Sequence, residues 1–134
     1  MNEENATNET SEIPFEIVTR NINRKDFDMI KVTFEDITGK SREAVFHKRL
    51  RFGDRANAVE IYGDPTTDLN SLGVLAAFSI YELDGAPVMA PTTKEEATDI
   101  LNRLDDPGVI AYGVVCAQIR KKESEAAKAA VGNS

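Results

Sequence analysis

A single cysteine and a single histidine set the first limits on this chain of 134 residues. Cys116 has no second thiol to pair with, so no internal disulfide staples the fold, in keeping with a reducing compartment. It stands between Val115 and Ala117, where desolvation disfavours a thiolate, and reads as a core or interface hydrophobe. A Ser-His-Asp or Cys-His site would have to be built on His47, which lies in the cationic run His47-Lys48-Arg49, the setting of a half-exposed surface residue. One Cys and one His are too few for a zinc site. Apolar runs are short as well, and none reaches the roughly 18 residues of a membrane span. The first residues are acidic and polar, whereas a secretory signal starts basic and turns apolar, so an intracellular soluble protein is expected. Asn5-Ala6-Thr7 and Asn8-Glu9-Thr10 then match the glycosylation pattern by chance. Cations are also outnumbered, with 16 Lys and Arg against 23 Asp and Glu and a formal net charge of −7. An acidic sheath repels phosphate, which disfavours nucleic acid and anionic membranes as partners.

The motifs of catalysis are missing in the same way. Gly108 and Gly113 have the spacing of two P-loop glycines, but Val114-Val115 stand where Lys and Ser or Thr would hold phosphate and magnesium. The acidic pairs Glu95-Glu96 and Asp105-Asp106 fall at helix starts, where capping and the helix dipole account for them. No cofactor, metal site or catalytic residue is expected, and an enzyme using carboxylates alone ranks third among the functions considered.

What is present is enough for one domain. Residues 1–12 are acidic, almost without apolar side chains, and are expected to be a disordered tail. Ile13 to Arg20 reads as a strand whose start Pro14 confines to an edge. A polar turn over Asn21 to Asp26 leads to Ile30, Val32 and Phe34, which alternate with Lys31, Thr33 and Glu35 as in a strand with one wet face. After a turn at Ile37-Thr38-Gly39-Lys40, Ser41 to Phe52 is taken as a third strand, although Lys48 falls on its apolar side. Asp54 is expected to cap a short helix over 55–62. Thr92 with Glu95 and Thr93 with Glu96 form overlapping capping boxes ahead of Ala97, Ile100, Leu101 and Leu104 at helical spacing. Asp106, followed by Pro107 at the first helical position, is expected to cap a last helix. The alanines and charges of 121–134 make a polar C-terminal extension. Strands first and helices after predict an α+β fold: a small antiparallel N-terminal sheet with three to four helices packed on it, in a single domain over 13–120.

Two segments carry more apolar surface than a small core needs. The spacing predicts one long helix from Asp68 to Asp84, closed by Gly85, in which Val74, Leu75, Phe78 and Tyr81 add a second stripe to that of Leu69, Leu72, Ala76, Ile80 and Leu83. Gly73 in its interior costs on the order of 1 kcal/mol against alanine and is more tolerable if another backbone packs close. The helix after Pro107 repeats the surplus with Val109, Ile110 and Tyr112. These seven side chains, Leu72, Leu75, Phe78, Tyr81, Val109, Ile110 and Tyr112, are either core or a surface for self-association or a partner, and the pattern leaves both open. A second surface is the basic segment: Lys40, Arg42, Lys48, Arg49, Arg51 and Arg55 outnumber Glu43 and Asp54, with Phe46 and Phe52 interleaved. A small nucleic-acid-binding regulator using Lys48, Arg49, Arg51 and Arg55 is the alternative function it suggests.

The layout resembles the tail assembly chaperones of long-tailed bacteriophages. The features that carry the likeness are the polar N-terminal tail and a β-rich first half ending in Phe46-His47-Lys48-Arg49-Leu50-Arg51-Phe52-Gly53-Asp54-Arg55. Helices including Thr93-Lys94-Glu95-Glu96-Ala97-Thr98-Asp99-Ile100-Leu101 follow, then an Ala/Lys/Glu-rich C-terminus, so that the likeness spans roughly residues 13 to 125. The resemblance implies a non-enzymatic chaperone in the host cytoplasm that binds an apolar tape measure protein, helps recruit tail tube protein and self-associates into a homo-oligomer. It also implies a longer frameshifted product.

Overall fold

The structure, a computed structural model, describes residues 12–50, 52–62 and 69–132. The tail expected over 1–12 lies outside them except for Glu12, as do Arg51 and the cap region before Leu69. Five strands form one antiparallel sheet in the order β1-β2-β3-β4-β5, with β1 Phe15–Ile22, β2 Lys25–Glu35, β3 Ser41–His47, β4 Ile80–Leu83 and β5 Ala86–Pro87. The helices are α1 Phe52–Tyr62, α2 Leu69–Ser79 and α3 Lys94–Gly132. The fold class is therefore α+β, with helices following a mostly N-terminal sheet.

Local chemistry explains the first hairpin. Ile22 pairs with Lys25, and the two residues between, Asn23 and Arg24, both have positive φ, the conformation that matches a tight turn to strand twist. The second turn is held by the Asp36 carboxylate, which accepts the N–H groups of Thr38 at 2.9 Å and Lys40 at 3.0 Å. Ile30, Val32 and Phe34 of β2 are buried with Ala44 and Phe46 of β3 in the core under the helices. On the outer face Met29 and Val45 are also buried. Across this face Arg20 of β1 reaches Glu82 of β4 at 3.0 Å, spanning β2 and β3.

Three expectations are corrected. The helix predicted over 68–84 ends at Ser79, and Ile80–Leu83 is β4. Helical spacing and a short apolar strand look alike over four residues, and β3 had an unpaired edge to fill: Ala44 pairs with Leu83 and Val45 with Glu82, with a bulge before Phe46. Asp84 and Gly85, both at positive φ, form the turn into β5, so Gly85 closes a hairpin and not a helix. The strand predicted over 41–52 ends at His47, one residue before the Lys48 that spoiled its pattern. Phe52 already belongs to α1, which puts Asp54 in the first turn of that helix and not at its cap.

The last helix is one element in name only. Asp105 breaks it with φ 64 and ψ 172, a region nearly confined to glycine and costing on the order of 1–3 kcal/mol. Asp105, not Asp106, caps the second segment, accepting the Asp106 N–H at 2.9 Å. Pro107 has no N–H for the carbonyl of Arg103 four residues back; Arg42 Nη2 donates to that carbonyl instead, at 3.2 Å. The first segment is capped by Thr93, whose Oγ1 accepts the Glu96 N–H at 3.1 Å; the Glu96 carboxylate reaches one residue further back than a capping box has it, to the Thr92 N–H at 2.8 Å.

The glycines show where elements touch. A Cβ on Gly73 would meet only the Leu101 side chain at 3.7 Å, ordinary contact, so close packing does not account for a glycine there. It occurs at Gly113, where a Cβ would lie 2.7 Å from Leu72, and at Gly108, where it would lie 3.0 Å from Phe34 and 3.1 Å from Leu104. We expect Gly73→Ala to stabilise the protein by about 0.5–1 kcal/mol. Gly108→Ala should destabilise it by about 1–3 kcal/mol, because Phe34 and Leu104 are buried and cannot yield. Half-buried Leu72 can swing away, so Gly113→Ala should fall between the two; urea unfolding of the three variants measures the order.

Candidate functional site

The seven apolar residues singled out in the sequence do not form one surface. Phe78 and Tyr112 are buried in the core, 2% and 8% exposed. The Tyr112 ring packs on Phe46 with centroids 4.6 Å apart, and its hydroxyl lies 3.1 Å from that of Ser79. Burial pushes the Tyr112 phenol well above its ordinary value, so it stays neutral. Leu72, Leu75 and Val109 are partly buried against the same core. Tyr81 is a β4 residue set edge-on to His47 at 5.5 Å, on the sheet's outer side and away from the others. The apolar sides of the two segments thus meet each other within one chain, through Leu72 on Gly113 and Ser79 on Tyr112. In this conformation Phe78 and Tyr112 are not available to a partner.

Ile110 alone of the seven is largely exposed, at 57%. It continues along α3 into half-buried Val114 and exposed Ala117, which follow it at i+4 and i+7 and so share its side of the helix. Spacing gives the i, i+4, i+7 relation, but Val114 and Ala117 alternate with Ala111, Tyr112 and Val115, which are buried, so spacing alone does not separate the outward side from the core side.

The basic segment is dispersed. Lys48 Nζ pairs with Glu123 of α3 at 3.2 Å. Arg42 Nε donates to Asp84 Oδ2 at 2.7 Å. Arg49, in the loop after β3, and Arg55, on α1, are exposed, and Arg51 lies outside the described residues. Phe46, the aromatic in this run whose side chain is described, is 0% exposed and cannot stack a base. His47 is enclosed between Tyr81 and Phe27, the latter 6.4 Å away. Burial pushes the Cys116 thiol up, which keeps it protonated. Among the described residues no three His, Cys, Asp or Glu side chains come together as a metal site, and no helix is long and apolar enough to cross a membrane. An open hollow of about 590 Å³ lies between the start of β1 and α3, lined by Pro14, Phe15, Gln118, Lys121 and Lys122 among others.

Compared with families of known proteins, with curated proteins and with solved structures, the chain matches none.

The corner where Arg42, Asp84 and the α3 break meet carries a pH dependence. Burial works against the Asp84 carboxylate, but the N–H of Glu43 and the Arg42 guanidinium outweigh it and hold the group below its ordinary 3.8. A depressed carboxylate stabilises the fold fully above its unfolded value and loses that contribution as pH falls through the lower folded value. The side chain is half exposed, so the contribution is modest. Thermal melts from about pH 6 downward should show stability dropping below about pH 4, with a shallower drop in Asp84→Asn.

Proposed function

We propose that this chain is a non-enzymatic tail assembly chaperone: it self-associates, binds an apolar tape measure protein, keeps that client soluble and promotes tail assembly with the tail tube protein in the host cytoplasm. The observation that carries the proposal is the outward apolar run of α3, with Ile110 57% exposed and Val114 and Ala117 on the same side. A helical client binds by laying its own apolar face along such a stripe. The solvated stretch that follows, exposed from Arg120 to Ala129, keeps the complex soluble once the stripe is covered. Val59 of α1, 45% exposed, adds apolar surface of the same kind. The layout of the chain, with its β-rich first half and Ala/Lys/Glu-rich end, supports the same reading. The regulator using the basic segment takes second place, because Lys48 and Arg42 are engaged in ion pairs and Phe46 is enclosed.

Co-expression with a tape measure protein tests it. The chain should raise the soluble fraction of the client. Ile110→Asp and Ala117→Glu should each weaken binding by about tenfold or more without shifting the chain's own thermal midpoint. Phe78→Ser should unfold the chain, since emptying a buried aromatic site costs about 3–5 kcal/mol. A client that stays insoluble, or binds both surface variants as well as the parent, overturns the proposal.

A further inference from the structure

The sheet has two edges and they are not alike. One is β5, two residues long and containing Pro87, which blunts it against further pairing. The other is β1, eight residues from Phe15 to Ile22, and no described residue pairs with its outer side. Which backbone groups face outward follows from the hairpin. A two-residue turn is closed by a hydrogen-bonded pair, here Ile22 with Lys25, so the ladder to β2 uses Ile22, Arg20, Val18 and Glu16. The bond from Lys48 N–H to the Asp28 carbonyl on the far side of β2 agrees with that parity. Asn21, Thr19, Ile17 and Phe15 therefore aim both N–H and C=O away from the sheet. Ile13 has the same parity, and its two groups are taken by the Gln118 side-chain amide, at 2.8 Å on the N–H and 3.0 Å on the carbonyl. Gln118 thus closes one end of the edge and leaves Phe15 to Asn21 open, with Ile17 43% exposed.

We propose that two copies of this chain pair along β1, antiparallel about a two-fold axis at Val18, to make one continuous sheet. The occupant is a second copy because the open edge complements itself. With Val18 on the axis, Phe15 and Ile17 form hydrogen-bonded pairs with Asn21 and Thr19 of the second copy, and Glu16 stands opposite Arg20 on both sides of the axis. Other registers of the correct parity either need the Gln118 cap at Ile13 displaced or leave Phe15 unpaired. The helix side matches as well. Lys122 Nζ sits over Phe15 at 5.2 Å, and in this register Phe15 lies beside Asn21 of the second copy. The strand next to that Asn21 is the second copy's β2, whose exposed Asp26 and Asp28 project on the helix side, so Lys121 and Lys122 face acids roughly two strand spacings, about 10 Å, away. The net charge of −7 opposes approach elsewhere, so these local matches set the register. Pairing β1 with β5 head to tail would make a filament; the two-residue, proline-bearing β5 prevents it, and the assembly closes as a dimer.

This inference rests on the self-association in the function proposed above, not on its client. Disulfide trapping tests it in the full chain with Cys116→Ala. In the proposed register Val18 meets its own copy at a non-hydrogen-bonded site, where Cα atoms about 4.5 Å apart suit a disulfide. Val18→Cys should oxidise to a dimer, whereas Asn57→Cys, exposed on α1, should not. Thr19→Pro removes an outward N–H and no ladder bond, and Glu16→Lys sets like charges opposite Arg20. Each should weaken dimerisation in sedimentation by about tenfold or more, with the circular dichroism of the parent. A Val18→Cys protein that cross-links no faster than Asn57→Cys, or a folded Glu16→Lys that associates like the parent, overturns pairing along β1 and leaves self-association through another surface standing. A parent that is monomeric at every concentration overturns both and does not touch client binding.

Discussion

Everything in this fold turns on Phe46. It lies in the middle of β3 with no exposed surface, and the sheet is a single layer, so one of its faces must be covered by something other than sheet. The Tyr112 ring covers it at 4.6 Å, and the hydroxyl of the same residue, 3.1 Å from Ser79, ties α3 to the end of α2. One side chain from each of three elements therefore meets at a point. Because Ser79 is the last residue before β4, that contact also determines where helix stops and strand begins. A buried hydroxyl pair without its partner would be costly, so Tyr112 and Ser79 specify each other's position as well as stabilise it.

The break in α3 follows from the same demand. A straight helix from Lys94 could not cover Ala97 and Ile100 at one end and Tyr112 and Val115 at the other while staying on a twisted sheet. Pro107 removes the hydrogen bond that would keep it straight, and Asp105 takes a backbone conformation that only glycine adopts cheaply. The strain is held in place from outside the helix. Arg42 satisfies the abandoned Arg103 carbonyl, is itself fixed by Asp84, and Asp84 in turn accepts the Glu43 N–H at 3.1 Å. A tight turn, a strand and a helix kink thus share one ion pair. Gly108 just beyond allows Phe34 to approach the helix backbone.

With the core satisfied internally, the surface divides by function of position. The outer sheet face is laced by Arg20 with Glu82 and by Lys31 with Glu16 and Glu43, at 3.7 Å and 3.5 Å, over a small buried patch at Met29 and Val45. Such charged lacing favours water over an apolar partner. The outward side of α3 and the open edge of β1 are different: one offers apolar side chains, the other backbone hydrogen bonds. The two lie on different elements, so client and second copy need not compete.

The sequence by itself determined what is local. The alternation of Ile30, Val32 and Phe34, the turn residues at Asp36 to Lys40, the capping pattern at Thr92 to Glu96 and the break around Pro107 all act within a few residues, and strands followed by helices then imply an α+β fold. One cysteine likewise leaves no pair for an internal disulfide within these 134 residues, without any structure. Only the tertiary structure decided that Ile80 to Leu83 is a strand, since that depends on an empty edge of β3 more than 30 residues earlier. It alone decided which of Leu72, Leu75, Phe78, Val109, Ile110 and Tyr112 are core. Periodicity reports that a side of a helix is apolar, but not what lies against it; Phe46 lies against Tyr112 and Gly113 against Leu72, while Ile110 stays 57% exposed.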